Sequence, residues 1–297
     1  MTAGRVVAAI VLTGALVSAG LIVRWFGVFE EDVSVRRMPR TARNPFPRSD
    51  WDPNEDRPAS AMRVLFLGNS FTHFYGGQAL VLEQLARAGG ETRPAICRMV
   101  AVSQQDFAGH WRDGESLRRI REGRWDYVVL QDHSLGPLLQ RENMFQYGRL
   151  LDSEIRKVGA KTVFFLTWAP KYEPENQAAL TEAYTELAGE LDAEVAPVAI
   201  AWRNAVRADP SIELYDGDGK HPNEAGVYLT SCVFYAMFYG RLLPEPLPGT
   251  IRADGKPWVE VNELEARFLQ RIAAETVATS ARSRASGKVT ENGFEDR

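Results

Sequence analysis

The sequence predicts an α/β domain built on a parallel sheet with helices on both faces. Three observations lead there. Short apolar runs alternate with longer amphipathic runs along residues 62–280. The apolar runs are near-continuous instead of alternating with polar residues, as in strands buried on both faces. Between them, apolar residues recur at helical spacing, so each crossover can return over the sheet.

Met62 to Gly68 (MRVLFLG) is a short apolar run ending in glycine and reads as the first buried strand. Ala79, Leu82, Leu85 and Ala86 mark a helix that Gly89-Gly90 stops. Pro94 to Val100 is a second strand, and Gly114 to Gly123 a short charged helix. Trp125 to Gln131 (WDYVVLQ) is the third strand, followed by a helix through Tyr147, Leu150, Leu151, Ile155 and Val158. Lys161 to Trp168 (KTVFFLTW) is the fourth strand, and Leu180, Ala183, Tyr184, Leu187, Ala188 and Leu191 form the next helical stripe. Glu194 to Ile200 is expected as a fifth strand. A helix follows His221-Pro222 and runs to about Gly240, and a last one carries Leu264, Phe268 and Ile272.

The ends have other compositions. Residues Val6 to Val23 form an uncharged apolar run, flanked by Arg5 and Arg24. A helix of that length spans about 27 Å, close to the hydrocarbon core of a bilayer. A cleaved signal, with Val17-Ser18-Ala19 as its cleavage site, competes with a retained anchor. The run is long for a signal core, which favours the anchor, with Trp25 and Phe26 at the interface. Either places the remainder outside the cytoplasm. The expected organisation is a leader or anchor (1–29), a proline-rich spacer (30–61), one domain (62–280) and a disordered tail (281–297).

The chain of 297 residues carries 35 basic and 39 acidic side chains, a formal charge of −4. With no concentrated cationic face, nucleic acid is excluded as a partner. Cys97 and Cys232 are too few for a disulfide scaffold or a cysteine zinc site; a single bridge and two buried thiols both fit, and buried thiols are the favoured reading. Oligomeric state is not legible.

In a parallel sheet the carboxyl ends of the strands share one edge, and ligands bind there. Gly68-Asn69-Ser70 follows the first strand, Ser103-Gln104-Gln105-Asp106 the second, and Gln131-Asp132-His133-Ser134 the third. Asp216-Gly217-Asp218-Gly219-Lys220-His221 precedes the late helix. All four histidines, His73, His110, His133 and His221, lie in or near these segments. Ser70 is the candidate nucleophile; a serine needs a base within hydrogen-bond reach. His221 is the candidate base, and Asp218, three residues earlier, is placed to hold its Nδ1 proton. Individually these residues also fit a helix N-cap, a turn aspartate and a helix-start histidine. The backbone N–H of Ser70 and the side-chain amide of Gln131 are candidate oxyanion donors, with a backbone N–H near Gln104-Gln105 as a third.

LFLGNSF around Ser70, VVLQDHS after the third strand and DGKHPNEAG around His221 resemble the SGNH (GDSL-type) hydrolases. The resemblance covers roughly residues 62–241. It implies a flavodoxin-like three-layer α/β/α sandwich with a five-stranded parallel sheet, no cofactor, and a Ser70–His221–Asp218 triad acting on acyl esters. Two positions depart from the family pattern. Gln131 stands where an asparagine is usual, and the second-block glycine is absent, with Gln105 nearest its place and Gln104 and Ser103 as alternatives. The resemblance implies a short-chain or acetyl ester as substrate, and the expected location suggests cell-envelope glycans. Two other readings compete. One is a metal-dependent hydrolase using His73, His110, His133 and His221 with Asp132 or Asp218. The other is a tethered, non-catalytic glycan-binding module.

Overall fold

The computed structural model describes residues 60–240, 246–253 and 255–285. The expected leader and nearly all of the expected spacer lie outside the described residues, as does most of the expected tail. Among the described residues no helix is long and apolar enough to cross a membrane.

Five parallel strands form the centre: β1 (Met62–Gly68), β2 (Ala95–Ala101), β3 (Tyr127–Leu130), β4 (Lys161–Phe165) and β5 (Glu194–Ala196), in the order β2-β1-β3-β4-β5. This is the flavodoxin-like order, whose switch point falls between β1 and β3. The α/β sandwich expected from the sequence is the fold observed. One face carries α2 (Gly77–Ala88), α8 (Val198–Ala208), α9 (Glu224–Tyr239) and α10 (Glu263–Ala285), which pack on one another. The other carries α3 (Phe107–Arg112), α4 (Glu115–Glu122), α5 (Gly136–Leu139), α6 (Arg141–Lys157) and α7 (Gln177–Glu190). A four-residue helix, α1 (Ser70–His73), leaves the end of β1, and a single 3₁₀ turn, Phe74–Gly76, follows it.

The strands are as apolar as they are because both faces are covered. Val64, Leu65, Phe66, Val128, Leu130, Val163, Phe164 and Phe165 are almost fully buried. Phe234 of α9 meets Phe66 and Phe165 edge-on, with centroids 5.2 and 5.3 Å apart, anchoring that helix to the sheet. The N-terminus of α9 is capped by Asn223, whose side chain accepts from the Gly226 N–H at 2.9 Å. Gly240, at φ 65°, ends it in the left-handed conformation that favours glycine. Both cysteines are buried, and among the described residues neither forms a disulfide.

The expected fifth strand, Glu194 to Ile200, is half strand and half helix. Pro197 ends β5 and becomes the N-cap of α8. The apolar run VAPVAI hid the change, because a buried helix and a buried strand share that composition. The fourth strand ends at Phe165, three residues early, and Leu166 to Trp168 carry on as loop. An antiparallel hairpin, β6 (Thr250–Ala253) and β7 (Lys256–Glu260), was missed, although Asp254-Gly255 is a hairpin signal. In α10, Ile272 is buried but Leu264 is 81% exposed, so the helix turns its first residues outward. The same helix continues to Ala285, past the expected end of the domain.

Candidate active site

The site stands at the carboxyl edge, where β1 and β3 part. Asn69, not Ser70, caps α1: its side chain accepts from the Phe71 N–H at 3.2 Å. Ser70 is therefore the first helical residue, with its side chain free of capping duty. Its hydroxyl lies 2.8 Å from His221 Nε2, across 151 residues of sequence. Asp218 Oδ2 lies 2.5 Å from His221 Nδ1. A neutral imidazole that gives its Nδ1 proton to Asp218 keeps an Nε2 lone pair to accept from the Ser70 hydroxyl. The structure thus brings Ser70, His221 and Asp218 together in the order and spacing the sequence suggested.

The turn that carries Asp218 and His221 is held from several sides. Asp218 Oδ1 accepts from the N–H groups of Lys220 and His221, both at 2.9 Å, so the aspartate also serves as a turn residue. Burial alone would raise the Asp218 carboxyl. The hydrogen bonds from the His221 imidazole and from the two backbone N–H groups outweigh it and hold the carboxyl well below the usual range. Trp168 Nε1 donates to the Lys220 carbonyl at 3.0 Å, and the Lys171 N–H donates to the Gly219 carbonyl at 2.8 Å. The Trp168 ring is stacked between Phe71 and Trp202, with centroids 4.9 and 3.7 Å away, so it cannot drift. The His221 ring lies against Phe74 and edge-on to Phe71.

Gln131 is not placed as an oxyanion donor. Its side chain is fully buried, and both ends of its amide are used within the protein. Oε1 accepts from the Asn69 N–H at 2.9 Å and from Thr72 Oγ1 at 2.8 Å, while Nε2 donates to the Asp132 carbonyl. Gln105 is corrected too. Its N–H closes a turn onto the Val102 carbonyl at 3.0 Å, and its own carbonyl accepts from Asn69 Nδ2 at 2.9 Å. The neighbour, Gln104, sits at φ 64°, the conformation a glycine would take most easily. Among the described residues no hydrogen bond occupies the N–H of Ser70 or of Gln104. The Gln104 loop is fastened beside α1 by Asn69 and by Ser103 Oγ, which lies 3.2 Å from His73 Nε2. Asn69, the residue that ties these loops together, was overlooked; its only sequence signal was its place between Gly68 and Ser70.

The other histidines have separate tasks. His110 is fully buried, with Nδ1 2.7 Å from Ser116 Oγ and Nε2 3.0 Å from the Gly68 carbonyl. A carbonyl only accepts, so Nε2 carries the proton. Burial lowers the His110 pKa to about 4 and keeps the ring neutral. His133 is lowered by burial and by the charge of Lys220. Asp132 is buried; desolvation pushes its carboxyl up to about 7 despite the Phe107 N–H, which donates to it at 2.8 Å. Among the described residues no three His, Cys, Asp or Glu side chains come together as a metal site would need. The clustered-histidine site is therefore not formed, because both ring nitrogens of His110 are already engaged and His221 faces Ser70 and Asp218.

No family model matches the sequence, and no curated protein does. Solved structures do. An inferred SGNH hydrolase from Slackia heliotrinireducens is 27% identical, with a TM-score of 0.52 over 60% of this chain and 99% of its own. A DUF4886 family protein from Bacteroides uniformis is 16% identical, with a TM-score of 0.56 over 78% of this chain and 98% of its own, a likeness of fold alone. With its 2-1-3-4-5 sheet, a serine at the end of the first strand and an Asp-x-x-His turn before the late helix, this chain is similar to the SGNH (GDSL-type) hydrolases in fold and in the arrangement of these residues.

Proposed function

We propose that the chain hydrolyses acyl esters through a covalent acyl-serine, and the observation that carries this is the continuous Ser70–His221–Asp218 hydrogen-bonded array. Ser70 Oγ attacks the ester carbonyl as His221 Nε2 takes its proton. His221 then returns that proton to the departing alcohol as the carbon–oxygen bond breaks. Water, deprotonated by the same imidazole, attacks the acyl-serine and releases the acid. Asp218 holds the tautomer and faces the imidazolium that forms. The N–H groups of Ser70 and Gln104 are the assigned oxyanion donors, in place of Gln131 and Gln105. Each such donor is worth about 2.7–4 kcal/mol of barrier.

An acetyl or other short acyl group on a cell-envelope glycan is the proposed substrate class. The apolar run from Val6 to Val23 supports this through the location it implies, outside the cytoplasm and tethered by that run. An intact triad argues against a purely binding module. Turnover of a panel of acyl esters, starting with p-nitrophenyl acetate, tests the reading. Wild type is expected to exceed Ser70→Ala by about four to six orders of magnitude. Equal rates across the panel would sink it. Membrane fractionation of cells expressing the full chain tests the location, and a cytoplasmic soluble pool alone would refute it.

A further inference from the structure

We propose that Gln131 is a positioning residue for Ser70, and that Gly68, Asn69 and Gln131 are a matched set that aims the Ser70 N–H. This rests on the acyl-serine reading above. Gln131 follows the last residue of β3, and its own N–H donates to the Leu67 carbonyl of β1 at 2.9 Å. From there its side chain crosses the point where the two strands part and takes hold of the segment leading into Ser70. Oε1 receives the Asn69 N–H and the Thr72 hydroxyl. A backbone N–H can only donate, so the amide orientation is decided: oxygen towards Asn69, nitrogen towards the Asp132 carbonyl.

Asn69 is pinned at every polar group. Its N–H goes to Gln131, and its carbonyl accepts from Thr72 and His73 at 2.9 and 3.2 Å. Its Oδ1 accepts from Phe71, and its Nδ2 donates to the carbonyls of Gln105 and Asp132, at 2.9 and 3.3 Å. The peptide between Asn69 and Ser70 carries the N–H offered to the oxyanion, and these bonds leave it one direction. An aspartate at 69 would put an oxygen against two carbonyl oxygens. The asparagine in Gly-Asn-Ser is therefore required by this arrangement. Gly68 is required for space. A Cβ there would lie 2.2 Å from Thr72 Oγ1 and 2.6 Å from Gln131 Oε1, the two atoms that make the clamp. Misplacing a reacting group by about 1 Å costs about a hundredfold in rate, so a clamp of this kind acts on the chemical step and not on binding.

The test is a cycle of Gln131→Met, Asn69→Asp and the double variant, read on p-nitrophenyl acetate. Each single change is expected to lower kcat by about a hundredfold with KM within about twofold. The double variant is expected to fall little further, because both residues serve one clamp. Multiplying losses, or an unchanged kcat with only a lower melting temperature, would overturn the proposal. Amide hydrogen exchange at Asn69 supplies a readout independent of turnover. Faster exchange in Gln131→Met than in wild type supports the clamp, and equal exchange overturns it. Should wild type be no faster than Ser70→Ala, the hydrolase reading fails while the exchange result still decides the clamp. Thr72→Val removes one arm alone. If Gln131→Met does not fold, it is expected to speed Asn69 exchange and lower kcat by less, and no change in either overturns the proposal.

Discussion

Phe74 lies face to face on the His221 imidazole, with ring centroids 4.4 Å apart and planes 6° apart. Phe71 closes a second side edge-on, at 5.5 Å. The ring is thus held by contact on its face and edge as well as by hydrogen bonds at both nitrogens. A flat aromatic neighbour also favours the imidazolium that forms after proton transfer, by cation–π attraction of about 0.5–2 kcal/mol. Phe74→Leu keeps apolar bulk and loses that face. Its kcat should drop about three- to thirtyfold, in line with that energy, with little change in melting temperature. Steady-state kinetics beside a thermal melt checks this.

Asp218 is the partner whose role is easiest to isolate. Asp218→Asn retains the size and can keep the turn bonds to Lys220 and His221, but it favours the wrong imidazole tautomer. Turnover is expected to fall about 10⁴-fold. Combining it with Ser70→Ala should cost no more than Ser70→Ala alone, since the groups act as a unit. Because its hydrogen bonds hold the Asp218 carboxyl well below the usual range, it stays ionised in mildly acidic buffer. Activity lost between pH 7 and 5 is therefore not expected to come from protonation of Asp218, and pH–rate profiles of wild type and Asp218→Asn make the comparison.

Asp132 and His110 set opposing slopes in stability against pH. Folding raises Asp132 from 3.8 to about 7, so between those values the native state holds a proton that the unfolded chain has lost. Folding lowers His110 from 6.5 to about 4, so between those values the unfolded chain holds the extra proton. Over about pH 4 to 6.5 the two terms cancel. Asp132→Asn removes one and leaves the other. Its stability should fall as pH drops through that window, by about 1.4 kcal/mol per pH unit, where the wild type shows no slope from this pair. Urea denaturation at several pH values measures the difference, and parallel profiles would refute it.

Trp168 joins the end of β4 to the turn that carries Asp218 and His221. Trp168→Phe keeps an aromatic plane between Phe71 and Trp202 but loses the N–H that reaches the Lys220 carbonyl. The direct cost to stability is about 1 kcal/mol. The larger effect is expected on kcat, since Lys220 adjoins His221. A melt shifted by a few degrees with an unchanged kcat would show that the turn is held well enough without this bond.

Much of this molecule was legible before folding. Buried strands must be apolar along their length, so MRVLFLG, WDYVVLQ and KTVFFLTW declared themselves, and the alternation with helices implied a parallel sheet. The meeting of Ser70, Asp218 and His221 was legible because the proposed attack, proton transfer and tautomer control each demand one residue type at a strand or helix end. Where chemistry leaves composition unchanged, sequence was silent. The run after Glu194 has one composition for a strand and a helix, and only packing against α9 and α10 made Val198–Ala208 helical. Gln131 carries an amide whichever way it points. Its position 2.9 Å from the Asn69 N–H, sealed from solvent, made it a clamp and not a donor to substrate. Likewise Gln104, not Gln105, took the left-handed backbone, because the Gln105 N–H had already closed a turn on Val102. Residue types announce which atoms can react. Which of them face the crevice is decided by three-dimensional competition for hydrogen bonds and space, and that competition is settled only when distant segments meet.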